Sequence, residues 1–157
     1  MRARLLLPLL LLAALAALAG CSSVNKLLGR TPTTTLSSVR VAAPPGANLN
    51  SAVQLDLVFL YDLKNEAMLP KTGPEWFAQK TALINGLGTS VDAVHLEIPP
   101  AQVIDPVPLP KRAGKAVAVY AFANYLSADG QARADLTKFR RAVVWLQATQ
   151  LAVTEQP

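Results

Sequence analysis

The side chains able to do chemistry are few and scattered. His95 is the sole histidine of the 157-residue chain. Its sequence neighbours Ser90, Asp92 and Glu97 raise the question of a Ser–His–Asp arrangement, in which an oriented imidazole activates a hydroxyl. Ser90, Asp92 and His95 are neighbours on or beside one β-like segment, Val91–Ile98, where Val94, Leu96 and Ile98 read as inward and Asp92, His95 and Glu97 as outward. Neither Ser90 nor Asp92 falls on the sharp turn that a nucleophile needs. A metal centre would require a second His or a free Cys near His95, and the sequence supplies neither. The ten acidic residues are mostly isolated. Asp56 interrupts an apolar strand and is expected to pair with a Lys or Arg across a sheet. Gly86-Leu87-Gly88 follows a predicted helix instead of opening one, so it is not a phosphate-cradling loop. The sequence therefore predicts no catalytic residue, no metal, no cofactor and no small-molecule substrate. It favours a binding or scaffolding role.

Cys21 is the one residue whose surroundings specify a reaction. Arg2 and Arg4 form a short positive region, Leu5 to Leu18 is nearly all Leu and Ala, and the small residues Ala19 and Gly20 follow. That order is the order of a bacterial secretory signal. The apolar run is shorter than the roughly 20 residues of a spanning helix. Leu18-Ala19-Gly20-Cys21 resembles a bacterial lipobox. The resemblance implies cleavage before Cys21, diacylation of its thiol and acylation of the new amino terminus. Several acyl chains give stable anchoring where one is marginal. Ser22, in place of Asp, implies the outer membrane, periplasmic face, as the destination. With Cys21 lipidated no thiol remains for a disulfide, and the fold must stand on packing.

The elements behind the anchor read as follows. Residues 1–20 are the lipoprotein signal peptide, 21–35 a polar, flexible tether, and 36–153 a folded domain. Thr33 to Ala43 is β-favouring, and Pro44-Pro45-Gly46 breaks it. Val53 to Tyr61 alternates, with Val53, Leu55, Leu57, Phe59 and Tyr61 on one face. Thr72-x-x-Glu75 resembles a capping box with Pro74 in the first turn. It opens a helix over about 74–85, which packs Trp76 and Phe77 onto a sheet and ends at Gly86 and Gly88. Pro99 to Pro110 is an edge or a loop. Lys115 to Tyr125, a short segment in Gln131–Leu136, and Ala142 to Val153 are further strands, with Thr154 to Pro157 loose. This is a mainly β chain, an antiparallel β-sandwich with one inserted helix. Its net charge is +5, or +3 once Arg2 and Arg4 are removed. The basic residues form no stripe with interleaved aromatics, which argues against nucleic acid.

At Asn48-Leu49-Asn50-Ser51-Ala52-Val53-Gln54-Leu55-Asp56-Leu57-Val58-Phe59-Leu60-Tyr61-Asp62-Leu63 the chain resembles the type VI secretion outer-membrane lipoproteins, the TssJ/SciN/VasD family. Those proteins carry a lipobox, a tether, an Asn-rich turn with a Ser, and then a strand of this type. Trp76-Phe77 and Ala116 to Tyr125 are similar to later segments of the family. Ala52 departs from the family's usual Pro. The resemblance implies a transthyretin-like sandwich held at the outer membrane by lipid on Cys21. It also implies a structural role, in which the domain binds the periplasmic domain of the inner-membrane protein TssM. The family's loop between the first strands matches Pro44 to Ser51, with Asn48, Asn50 and Ser51 as partner-binding candidates. The alternatives are a lipidated periplasmic immunity protein or inhibitor, and a secretin pilotin.

Overall fold

Alternation in Val53–Leu60 places β2 at the centre of the molecule. Val53, Leu55, Leu57 and Phe59 are fully buried on one face, while Asp56, Val58 and Leu60 are buried on the other. A strand covered on both sides is what a nearly continuous apolar run encodes. β3 (Val91–Ile98) and β5 (Ala118–Asn124) flank it antiparallel, and the two-residue β6 (Ala134–Asp135) closes the sheet in the order β3-β2-β5-β6. The second sheet holds β1 (Ser38–Ala43), β4 (Gln102–Ile104), β7 (Arg141–Leu146) and β8 (Leu151–Glu155) in the order β4-β1-β7-β8. The structure, a computed structural model, describes residues 31–129 and 131–157. Cys21 and the leader, where the lipidation and signal-peptide readings fall, lie outside the described residues. Among those described, no helix is long and apolar enough to cross a membrane.

The two sheets bury Val39, Val41, Leu55, Leu57, Phe59, Val119, Ala121, Val144 and Leu146 between them. A second apolar layer lies on the outer face of β2 and β5. There Val58, Leu60, Tyr120 and Phe122 meet the helix α1, Gly73–Leu87. Trp76 is its anchor: the indole is fully buried and stacks on Phe122 at 4.9 Å between ring centroids. Burying a side chain of this size contributes on the order of 3 kcal/mol. Gly88, at φ 51°, ends the helix in a backbone region that L side chains rarely adopt.

The mainly β sandwich with one inserted helix is therefore as expected, with four local corrections. β1 and β7 pair in parallel, Ser38 to Ala42 against Arg141 to Trp145, so that sheet is mixed instead of antiparallel. Apolar alternation reports which face is buried and is indifferent to strand direction. The single strand expected over Ala142–Val153 is a hairpin: it breaks at Gln147–Gln150 and returns as β8. The end of the chain is accordingly not loose, since Glu155 pairs with Ala142 and the Gln156 N–H donates to the Arg141 carbonyl at 2.7 Å. The Thr72 side chain makes no capping hydrogen bond, so the capping box is not formed; the Thr72 carbonyl instead receives the Trp76 N–H at 3.1 Å. Between β2 and α1, residues 63–68 form a 3-10 turn, with the Lys64 N–H donating to Asp62 Oδ1 at 3.0 Å.

Candidate partner-binding end of the sandwich

One end of the sandwich gathers the turns 44–52, 99–101, 125–129 and 147–150, as the strand registers require. Asp129 is the only charged residue in these four turns. Asn48 holds three of them together. Its Nδ2 donates to the Ala52 carbonyl at 2.7 Å, and its Oδ1 accepts from the Leu126 N–H at 2.7 Å. Its own N–H donates to the Gln147 carbonyl at 3.1 Å. At 2% exposure it presents no polar atom of its own to a partner and acts by shaping the loop.

The backbone here is unusual. Asn48, Leu49 and Asn50 are consecutive residues with positive φ, at 46°, 55° and 64°. Asn tolerates this region because its short polar side chain bonds locally. Leu does not, and a leucine held there stores about 1 kcal/mol or more of strain. The consequence is that Leu49 stands 58% exposed at the tip, with Leu126 67% exposed on the neighbouring turn. Asn50 is exposed beside them and Ser51 is half-buried, its N–H donating to the Asn48 carbonyl at 3.0 Å. A charge-poor surface with two projecting leucines and a rim of amide and hydroxyl groups suits a protein contact, with apolar anchors inside a polar rim. The family resemblance at Asn48, Asn50 and Ser51 points to this loop. Leu49 and Leu126 carry no such signal as a pair, because nothing in a single sequence brings residue 126 next to residue 49.

The residues with catalytic chemistry are not assembled. His95 and Asp92 lie on opposite faces of β3, which corrects the outward assignment of Asp92. It shares the face of Val94 and Leu96, as its even register dictates, and meets Phe59 across the ladder. There it accepts from Tyr61 Oη at 2.8 Å and from Arg112 Nε and Nη2 at 2.8 and 2.9 Å. The Arg112 hydrogen bonds hold its carboxyl below the usual range, while burial and the Asp92 contact push the Tyr61 hydroxyl up. His95 faces the helix, with its Nδ1 2.5 Å from Asp56 Oδ1 and its side chain 49% exposed. Asp56 also accepts from Trp76 Nε1 at 2.8 Å and Lys80 Nζ at 3.3 Å. Its cationic partner thus comes from α1, four residues after Trp76 and one helical turn on, and not from across the sheet as the sequence suggested. A depression of about 520 Å³ between the 63–68 turn and the start of α1 is lined by Met68, Lys71, Thr72, Glu75 and Gln79 among others. It brings none of the Ser90, Asp92 and His95 set together. No group of three or more metal-ligating side chains occurs among the described residues.

The architecture has solved counterparts. The type VI secretion lipoprotein TssJ1 of Pseudomonas aeruginosa is 15% identical at a TM-score of 0.57, with 76% of this chain and 95% of that one covered. Serratia marcescens Lip, a membrane-bound component of the type VI secretion system, is 15% identical at 0.54, covering 80% and 99%. The C-terminal domain of the type VI protein TssM from EAEC is also 15% identical at 0.55, covering 74% and 98%. At such identities the likeness is one of fold: the chain has a TssJ-like β-sandwich. Neither a protein-family model nor a curated protein sequence matches it.

Proposed function

We propose that this chain is the outer-membrane lipoprotein of a type VI secretion membrane complex, a structural component that binds the periplasmic domain of TssM. The same sandwich occurs in TssJ1, in Lip and in a TssM domain, so the fold alone does not choose among these roles. What favours the lipoprotein is Leu18-Ala19-Gly20-Cys21 ahead of it. In this reading the signal peptide spans 1–20, lipid on Cys21 anchors the domain at the periplasmic face of the outer membrane, and the tether spaces it from the bilayer. The partner docks on this charge-poor end, with Leu49 and Leu126 as anchors and Asn50 and Ser51 at the rim. Asn48 sets the loop shape.

The observation that carries the docking site is the run of three positive-φ residues that forces Leu49 into solvent. Two experiments test the reading. In cells of a bacterium with this secretion system, Cys21→Ser is expected to release the protein from the outer-membrane fraction, and retention there would defeat the anchor. In pull-downs of Ser22–Pro157 with the TssM periplasmic domain, Leu49→Asp with Leu126→Asp is expected to weaken binding at least 30-fold, as loss of an anchor worth about 2 kcal/mol implies. Leu49→Asn is expected to bind more weakly while unfolding at higher temperature, because Asn relieves about 0.5–1 kcal/mol of backbone strain. Wild-type-like binding by the double variant would remove the docking site. No binding by the unaltered domain would remove the partner.

A further inference from the structure

The opposite end of the sandwich is where the chain joins the fold, and its chemistry is different. The Thr34 N–H donates to the Ala116 carbonyl at 2.7 Å, and its Oγ1 to the Thr137 carbonyl at 2.8 Å. Thr35 Oγ1 donates to the Lys138 and Phe139 carbonyls, and the Ser37 N–H and Oγ to that of Arg140. These bonds pin the first folded residues between 115–116 and 137–141. The same two segments carry Lys115, Lys138, Arg140 and Arg141, all exposed. Among the described residues the side-chain ion pairs use Arg40, Lys80, His95, Arg112 and Arg133, and none of these four. Arg141 donates to the carbonyls of Gln156 and Pro157. Among the nearby carboxylates, Asp135 accepts from the Thr137 N–H, and Glu155 accepts from the Arg140 and Arg141 N–H groups. Positive charge thus exceeds negative within 115–116 and 135–156, the segments that hold the start of the fold, and the far end is almost uncharged.

We propose that this basic end is a contact surface for anionic lipid headgroups, with Lys115, Lys138, Arg140 and Arg141 meeting the phosphates of the bilayer. The proposal rests on the reading of Cys21 as the lipid anchor. Twelve residues lie between Cys21 and Thr34, and the thirteen steps they span reach at most about 45 Å when fully extended. An anchored chain therefore keeps this end, more than the far one, within reach of the membrane. A Lys or Arg within a Debye length of an anionic surface strengthens binding about five-fold. The contact turns the docking end, with Leu49 and Leu126, away from the bilayer and toward the periplasm.

The test uses the leaderless chain with Cys21→Ser, so its outcome is independent of lipidation. Sedimentation with phosphatidylglycerol–phosphatidylcholine vesicles is expected to show binding that high salt abolishes, with none to phosphatidylcholine alone. Lys115→Glu, Lys138→Glu and Arg140→Glu together are expected to reduce it about 100-fold, three contributions of about five-fold each. Lys71→Glu makes the same charge change at an exposed lysine outside these segments and is expected to change binding less than two-fold. Trp145 is half-exposed on the outer face of β7, while Trp76 is buried, so iodide reads Trp145 alone. An end-on contact leaves its quenching unchanged by vesicles. Equal binding to neutral vesicles, equal loss with Lys71→Glu, shielding of Trp145, or no vesicle binding at all would each overturn the proposal. Cys21 fractionation and TssM pull-down would remain unaffected by any of these results.

Discussion

Gly73→Ala is expected to destabilise the domain by about 3 kcal/mol, an over-packing cost at the upper end of the usual range. Gly73 opens α1 where the helix crosses β5. A Cβ at this position would lie 1.8 Å from the Ala123 carbonyl oxygen and 2.8 Å from its carbon. The obstacle is main chain in the middle of a sheet, paired with Leu55 of β2, and it cannot swing aside as a side chain would. The helix has to lift instead. Lifting it draws Trp76 off Phe122 and strains the 2.8 Å bond from the Gly73 N–H to the Gln131 carbonyl. Since a domain of this size is stable by roughly 5–15 kcal/mol, the loss is a large share of the total. Gly86→Ala is the control. It is in the same helix, a Cβ there meets nothing within 4 Å, and ordinary helix propensity predicts a gain of about 0.5–1 kcal/mol. Urea titration of both variants should give opposite signs. A Gly73→Ala protein as stable as wild type would show that the helix is free to shift.

Asp56→Ala is expected to cost about 2–4 kcal/mol. The carboxylate is 1% exposed and receives Trp76, Lys80 and His95. Its removal leaves the buried Trp76 N–H without an acceptor, a penalty of about 1–3 kcal/mol, and opens a small cavity. The cost falls short of the worst cases of a broken buried ion pair, because Lys80 and His95 are both partly exposed and can return to water. If the acceptor is needed mainly by the indole, Asp56→Leu combined with Trp76→Phe should lose less than the sum of the two single changes. A coupling of at least 1 kcal/mol in that cycle is expected. Strict additivity would mean that the hydrogen bond holds nothing in place.

These two sites show where sequence reading stops. That Asp56 stood in an apolar strand was visible, and so was its need for a cation. Which cation it took depended on a helix laid over the sheet, and Lys80 came from that helix because it follows Trp76 by one turn. Gly73 showed nothing in sequence beyond its place before Pro74, for its constraint is the carbonyl of a residue 50 positions later. Asp92 could have been assigned by strict parity, since it shares the even register of Val94, Leu96 and Ile98. Its charge suggested solvent, whereas Tyr61 and Arg112 meet it at the margin of the sandwich.

By itself the sequence determined the β-rich class, the extent of β2, β3 and β5 within a few residues, the place of the helix and the loop that carries Asn48, Asn50 and Ser51. It also supplied the signal around Cys21 on which the anchoring proposal depends. Those properties follow from short-range patterns: a period of two for strands, about 3.6 for helices, and turn residues between them. The tertiary structure alone decided that β1 and β7 run parallel, that the final strand folds back into a hairpin, and that Leu126 joins Leu49 at one end. It alone gathered Lys115 with Lys138, Arg140 and Arg141 at the other. Each of these depends on which distant segments close upon one another, and chain closure of that kind is selected by the packing of the whole core and by no local pattern.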